Sequence, residues 1–140
     1  MPHLLRILVV DDHEMVRRGI CALLRAEPDF EVICEAADGI EAVERAEKLQ
    51  PDVIVLDISM PGMNGLEAAR RIRRMSPLSK IVFLSQHDTI ETIREAFRAG
   101  GYGYVAKSDA AHDLISAVRS VSQKKCYVNA RFADRLCKAD

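Results

Sequence analysis

The stretch VIVLDISMPGMNGLEA, Val53 to Ala68, decides how the chain is read. Val53 to Leu56 form a short, continuous apolar run, the mark of a strand buried on both faces. The run ends on a carboxylate, Asp57. A loop with Pro61-Gly62 and Asn64-Gly65 follows, and a helical pattern begins near Leu66. A carboxylate that only capped this helix would stand immediately before it. Asp57 stands too early for that, so its place at a strand exit points to a site.

The same alternation runs through most of the chain. Residues 6–10 read as a first strand, and 14–26 as a helix with Met15, Val16, Ile20, Leu23 and Leu24 on one face. A second strand over 31–36 precedes a helix marked by Ile40, Val43, Ala46 and Leu49. The helix after Asp57 carries Leu66, Ala69, Ile72 and Met75. A fourth strand spans 80–85 and a fifth 103–107, each with its own helix, the first marked by Ile90, Ile93, Ala96 and Phe97, the second by Leu114, Ile115, Val118 and Val121. Five βα units need long crossovers, which make a parallel sheet covered on both faces. The expected fold class is therefore α/β, a flavodoxin-like doubly wound five-stranded parallel sheet in the order 2-1-3-4-5. Residues 1–122 make one domain. Residues 123–140, with five basic and two acidic side chains, read as a linker or a short helix in which Phe132 and Leu136 lie one turn apart.

Composition narrows the class. The 140 residues are 49% hydrophobic and 29% charged with a net charge of -1, which gives no basic excess to suggest nucleic-acid binding by charge alone. No apolar run approaches a membrane span, and the N-terminal apolar run carries an arginine and is followed at once by two acids, as a strand would be and a signal peptide would not. Cys21, Cys34, Cys126 and Cys137 form no CxxC pair and no zinc-type cluster, which implies free thiols and a reducing, cytoplasmic setting.

The expected strand order says where chemistry belongs. Ligands of doubly wound sheets bind beyond the carboxyl ends of the strands, where the order reverses, here between the first and third strands. The first ends in Asp11-Asp12 and the third in Asp57. Three carboxylates in one crevice are not all ionised cheaply without a cation. Oxygen donors favour a hard ion, Mg²⁺ or in its place Mn²⁺. Ser85 and Lys107 end the fourth and fifth strands on the same edge, and a hydroxyl and an ammonium beside a metal-bound carboxylate suit a phosphoryl group. Asp57 is then the candidate nucleophile, forming an aspartyl phosphate.

Asp11-Asp12, Asp57, Ser85, Tyr104 and Lys107 together resemble the receiver domain of bacterial two-component response regulators, over about residues 4 to 122. DDHEMVRRGI, DISMPGMNGLEAARRIR, AGGYGYVAK and LISAVRSV further resemble its NarL/FixJ-like (LuxR-type) subgroup. The resemblance implies that Asp57 is the phosphoacceptor and that Asp12 is a metal ligand supported by Asp11. It implies a third metal ligand in the backbone carbonyl of Ser59. Ser85 and Tyr104 are the implied switch pair, and Lys107 the phosphate contact. It also implies a signalling domain without turnover on an outside substrate, a sensor histidine kinase as phosphoryl donor, a homodimer on phosphorylation as one open outcome, and transcriptional output through DNA.

The sequence departs from that pattern in places. Lys107 precedes Ser108 where many receivers have proline, and Gly100, Gly101 and Gly103 suggest a flexible entry to the fifth strand. No helix-turn-helix pattern follows, so DNA contact would need an output domain that these residues do not encode; a stand-alone or degenerate receiver acting by protein contacts is the alternative. Other chemistries fit less well. A haloacid-dehalogenase-type phosphatase wants an aspartate where Ser59 stands. A cobalamin domain wants glycine where Val16 stands, and a flavodoxin phosphate loop would not be acidic like DDHEMVRR. His13 and His87 flank the crevice and read as solvent-facing or capping, and Arg70, Arg71, Arg73 and Arg74 as a solvated helix face.

Overall fold

The computed structural model describes residues 3–87, 89–130, 132 and 133. Its strands are β1 Leu5–Val10, β2 Phe30–Ala36, β3 Val53–Asp57, β4 Lys80–Ser85, β5 Gly101–Ala106 and β6 Tyr127–Val128. Its helices are α1 Glu14–Arg25, α2 Gly39–Leu49, α3 Gly65–Met75, α4 Ile90–Arg98 and α5 Ala110–Ser122, with a short 3-10 turn, Lys107–Asp109, between β5 and α5. The sheet runs in the order 2-1-3-4-5-6 with every ladder parallel. The expected doubly wound order is present, and a sixth strand extends it beyond the βα repeat.

Alternate residues of the strands feed two cores. Leu8, Val10, Ile54, Leu56, Phe83 and Tyr104 pack with α2, α3 and α4 on one face. Ile7, Val9, Val55, Leu84 and Val105 pack with α1 and α5 on the other. A strand that feeds two cores must be apolar at every position, which is why β3 reads as an unbroken run.

The helix faces differ in detail from the periodic reading. Met15, Ile40 and Met75 are 81%, 58% and 46% exposed, although each falls on an apolar stripe. Met15 and Ile40 lie in the first turns of α1 and α2, at the sheet's carboxyl edge, where the strands beneath have ended. Small residues occupy the closest approaches instead: Gly39, Ala42 and Ala46 are the buried positions of α2. Helical spacing identifies a stripe but not how far the sheet extends under it.

The loop after Asp57 is set by backbone contact. Asn64 caps α3, its side chain accepting from the Glu67 N–H at 3.0 Å, and the Gly65 N–H donates to the Ile58 carbonyl at 2.8 Å. A Cβ on Gly65 would meet the Asp57 carbonyl oxygen at 2.0 Å. The loop therefore turns sharply because α3 starts against the backbone of the residue that ends β3. The glycines at the start of β5 are packed rather than loose. Gly100 takes φ +110°, open to few other residues, and a Cβ on Gly101 would lie 2.6 Å from the Phe83 ring.

The segment expected to be a linker or a short helix packs against the domain through its first residues. β6 pairs with β5 in the register Gly103↔Tyr127 and Tyr104↔Val128. After it, Asn129 turns the chain into helical conformation, its carbonyl accepting from the N–H groups of Phe132 and Ala133 at 3.0 and 3.1 Å. Phe132 is fully buried and meets the Tyr104 ring edge-to-face, centroids 5.1 Å apart. Burial of one such side chain contributes roughly 1.5–3 kcal/mol. Leu136, expected on the same short helix, lies outside the described residues, as does Cys137. Cys21 is buried in the core, and burial pushes its thiol up to about 11; Cys126 is exposed. No described helix is long and apolar enough to cross a membrane.

Two glycine substitutions separate these roles. Gly65→Ala should lower unfolding stability in urea by at least about 1–3 kcal/mol, because backbone must move. Gly19→Ala, in α1 with open space around its Cβ position, should raise it by about 0.5–1 kcal/mol.

Candidate functional site

Strand register assembles the site. β1 and β3 are neighbours with Val10 opposite Leu56, so the next residues, Asp11 and Asp57, emerge side by side. On the other flank of β3, Ser85 ends β4 opposite Ala106 of β5, and Lys107 follows at once. Lys107 thus begins the 3-10 turn rather than ending the fifth strand.

The Lys107 ammonium reaches both carboxylates, Nζ lying 3.0 Å from Asp11 Oδ2 and 3.1 Å from Asp57 Oδ2. Asp11 is fully buried and Asp57 nearly so, at 2% exposure, while Lys107 and Asp12 are half-buried. Backbone donors hold the remaining oxygens: the His13 N–H donates to Asp11 Oδ1 at 2.8 Å, and the Ser59 N–H to Asp57 Oδ1 at 3.2 Å. Asp12 Oδ1 is buried and accepts no hydrogen bond; His13 Nδ1 lies 3.3 Å from it. Donor atoms of Asp11, Asp12, His13 and Asp57 all lie within 4.8 Å of one another.

Burial pushes the Asp57 carboxyl above its ordinary range. Lys107 pulls it down and the Asp11 charge pushes it further up. Burial also works against the Lys107 charge, but the hydrogen bond it donates to Asp11 and the Asp57 carboxylate prevail and hold the ammonium above its usual value. Among the described residues, Lys107 pairs with two of the three carboxylates, so the crevice is short of positive charge. A buried acceptor without a donor at Asp12, in an oxygen-rich cluster with excess negative charge, fits a hard divalent cation.

A second network leads away from the site through one residue's backbone. The His87 N–H donates to Ser85 Oγ at 2.9 Å, and Tyr104 Oη donates to the His87 carbonyl at 2.9 Å. The His87 ring, exposed, pairs through Nε2 with Ser59 Oγ at 2.5 Å. Ser59, Ser85 and Tyr104, three residues singled out from sequence, thus converge on His87, which the sequence reading left at the margin. Its only signal was its place two residues after a strand end. His13 likewise joins the acidic cluster, and its signal was adjacency to the Asp11-Asp12 pair. The arginines of α3 remain exposed, Arg70 pairing with Glu95 at 3.0 Å and Arg71 with Glu67 at 3.2 Å.

The sequence matches the response regulator receiver domain family over residues 7–119. The chain belongs to that family. Among curated proteins it is 39% identical to the transcriptional regulatory protein DegU of Brevibacillus brevis, over 96% of this chain and 57% of that protein. It is 40% identical to the nitrate/nitrite response regulator protein NarL of Escherichia coli, over 83% of this chain and 54% of that one. The chain spans 57% to 63% of the length of the first such relatives. Among solved structures, a LuxR-family two-component response regulator from Aurantimonas superposes with a TM-score of 0.93 at 32% identity, covering 97% of both chains. The receiver domain of the response regulator NarL of Mycobacterium tuberculosis does so at 0.84 and 30%, covering 89% of this chain and all of that one. The receiver is thus of LuxR/NarL type, a signalling domain of two-component systems.

The raised Asp57 pKa has a stability consequence. A carboxyl whose folded-state pKa exceeds its unfolded one favours the fold at low pH, and that contribution is lost as pH rises through the folded value. Asp57→Asn removes the penalty. The variant should resist urea better than the unsubstituted protein near pH 7, with the difference vanishing by about pH 3, below the ordinary carboxylate range.

Proposed function

We propose that this receiver is a phosphorylation switch with Asp57 as phosphoacceptor. The observation that carries the reading is the Asp57 carboxylate, buried at the exit of β3 with its oxygens held by Lys107 and the Ser59 N–H. In the reaction, one Asp57 oxygen attacks phosphorus. The O–P bond forms as the P–N bond to a phosphohistidine of a sensor histidine kinase breaks, and the donor imidazole departs and takes up a proton. The buried position excludes competing water, and Lys107 Nζ, 3.1 Å from Oδ2, supplies positive charge to the incoming phosphoryl oxygens. Asp12, Asp57 and the Ser59 carbonyl, supported by Asp11, would hold Mg²⁺ or Mn²⁺, which neutralises charge on the phosphoryl group when bound. Hydrolysis of the acyl phosphate resets the switch.

Ser85 and Tyr104 are the proposed movers. Ser85 stands at the end of the strand beside β3, and a shift of its hydroxyl toward a phosphoryl group would give up the His87 N–H and leave Tyr104 Oη to hold the His87 backbone by its carbonyl, which keeps the Tyr104 ring inward. That is a two-state element of the kind a charge change can bias. The response would alter the surface of α4, β5 and α5 and so control self-association or an output. Relatives named as transcriptional regulatory proteins make transcription, through DNA contact by a further domain, the output we favour.

Incubation with acetyl phosphate and measurement of intact mass tests this. One Mg²⁺-dependent phosphoryl adduct is expected, absent from Asp57→Asn and formed at least about tenfold more slowly by Lys107→Ala, the size of effect for loss of a charged transition-state contact. An adduct retained by Asp57→Asn would move the nucleophile elsewhere. No adduct on folded protein would leave a degenerate receiver acting by protein contacts.

A further inference from the structure

The outer edge of β5 is covered by the chain's own continuation, and it is covered at the residue proposed to switch. Val128 lies opposite Tyr104 in the β5–β6 ladder, and the Asn129 N–H approaches the Tyr104 carbonyl at 3.4 Å. Phe132 seals the Tyr104 ring edge-on at 5.1 Å, and both rings are fully buried. Polar contacts tie the same segment to the turn and helix after β5: Asn129 Nδ2 donates to Asp109 Oδ2 at 2.8 Å, and Tyr127 Oη to Asp113 Oδ1 at 3.1 Å. Tyr127 and Val128 pack on opposite faces of the sheet, so the segment is seated as a strand and not laid across the surface.

Resting on the phosphoacceptor reading, we propose that this segment, Tyr127–Asn129 with Phe132, is a latch whose docking is coupled to the position of Tyr104. It would carry the state of Asp57 into whatever chain follows. The route is continuous in contacts: Ser85 and Ser59 to His87, His87 to Tyr104 Oη, Tyr104 ring to Phe132. A Tyr104 ring held inward completes the surface on which Phe132 sits, and a docked Phe132 closes the pocket that holds the ring inward. Two states that each require the other are coupled reciprocally, whichever is perturbed first. The latch is short, with two strand residues and one aromatic anchor, so its docking is an equilibrium that a shift at Tyr104 can move. It also occupies the β5 edge, which would otherwise be open to pairing with another chain.

Hydrogen exchange on the full chain tests the latch, followed at the amides of Val128, Asn129 and Phe132, with and without beryllofluoride and Mg²⁺. The expected result is slower exchange at these amides with the phosphoryl mimic, by several-fold, and a several-fold weaker apparent affinity for the mimic in Phe132→Ala. Phe132→Leu, which keeps the burial, should recover most of that affinity. In the protein without mimic, Tyr104→Ala should speed exchange at the same amides while those of β1 keep their protection. Unchanged or faster exchange with the mimic, on protein that takes one acetyl-phosphate-derived adduct, overturns the latch and leaves the phosphoacceptor reading standing. Absence of the adduct overturns both.

Discussion

A single ammonium group, Lys107 Nζ, lies between two buried carboxylates that belong to different strands. Asp11 follows β1 and Asp57 ends β3, and both are buried, where a charge is costly without a partner. The arrangement fixes more than charge. It ties the turn after β5 to the exits of β1 and β3, so the carboxyl edge of the sheet is held across four adjacent strands. It also leaves the crevice one-sided, since Lys107 cannot balance Asp11, Asp12 and Asp57 together. On the proposed reading, that residual demand for positive charge is what a hard cation would meet, and with it a phosphoryl group.

The geometry around His87 is where the proposed switch would give this charge balance a mechanical outlet. Its backbone is held at both ends, the N–H by a hydroxyl that ends β4 and the carbonyl by a phenol from β5, while its ring reaches the loop after Asp57. On the proposed reading, a change in demand at Ser85 reaches Tyr104 through hydrogen bonds and then Phe132 through one aromatic contact. Packed interiors respond to such changes by moving between discrete arrangements and not by gradual deformation, since there is little empty volume to absorb a shift. The sixth strand and Phe132 place the end of this path at the edge of the sheet.

Much of this was legible in the residues. β3 and β4 have the ends expected of them, because strands buried on both faces are unbroken apolar runs with sharp limits. Asp11, Asp12, Asp57, Ser85 and Lys107 converge as the strand order requires. The helix faces were less legible. Met15 and Ile40 obey helical spacing yet stand over no sheet, and Gly100 and Gly101 suggested looseness where one turns the chain and the other admits a phenyl ring. β6 was missed because two residues carry no period, and Phe132 in a basic tail looks like any exposed aromatic until its partner is known.

What the sequence determined by itself was the repeat, the parallel order and the strand ends, and with them the acidic crevice. These follow from local hydrophobic pattern and from the geometry of crossovers, both written in consecutive residues. Tertiary structure alone decided which partner each polar group takes: that Lys107 bridges Asp11 and Asp57, that His87 joins Ser59, Ser85 and Tyr104, and that Phe132 closes over Tyr104. Those contacts join residues far apart in the chain, where no spacing rule reaches. They are chosen by which side chains the packed sheet brings within a few ångströms, after every other group has found its place.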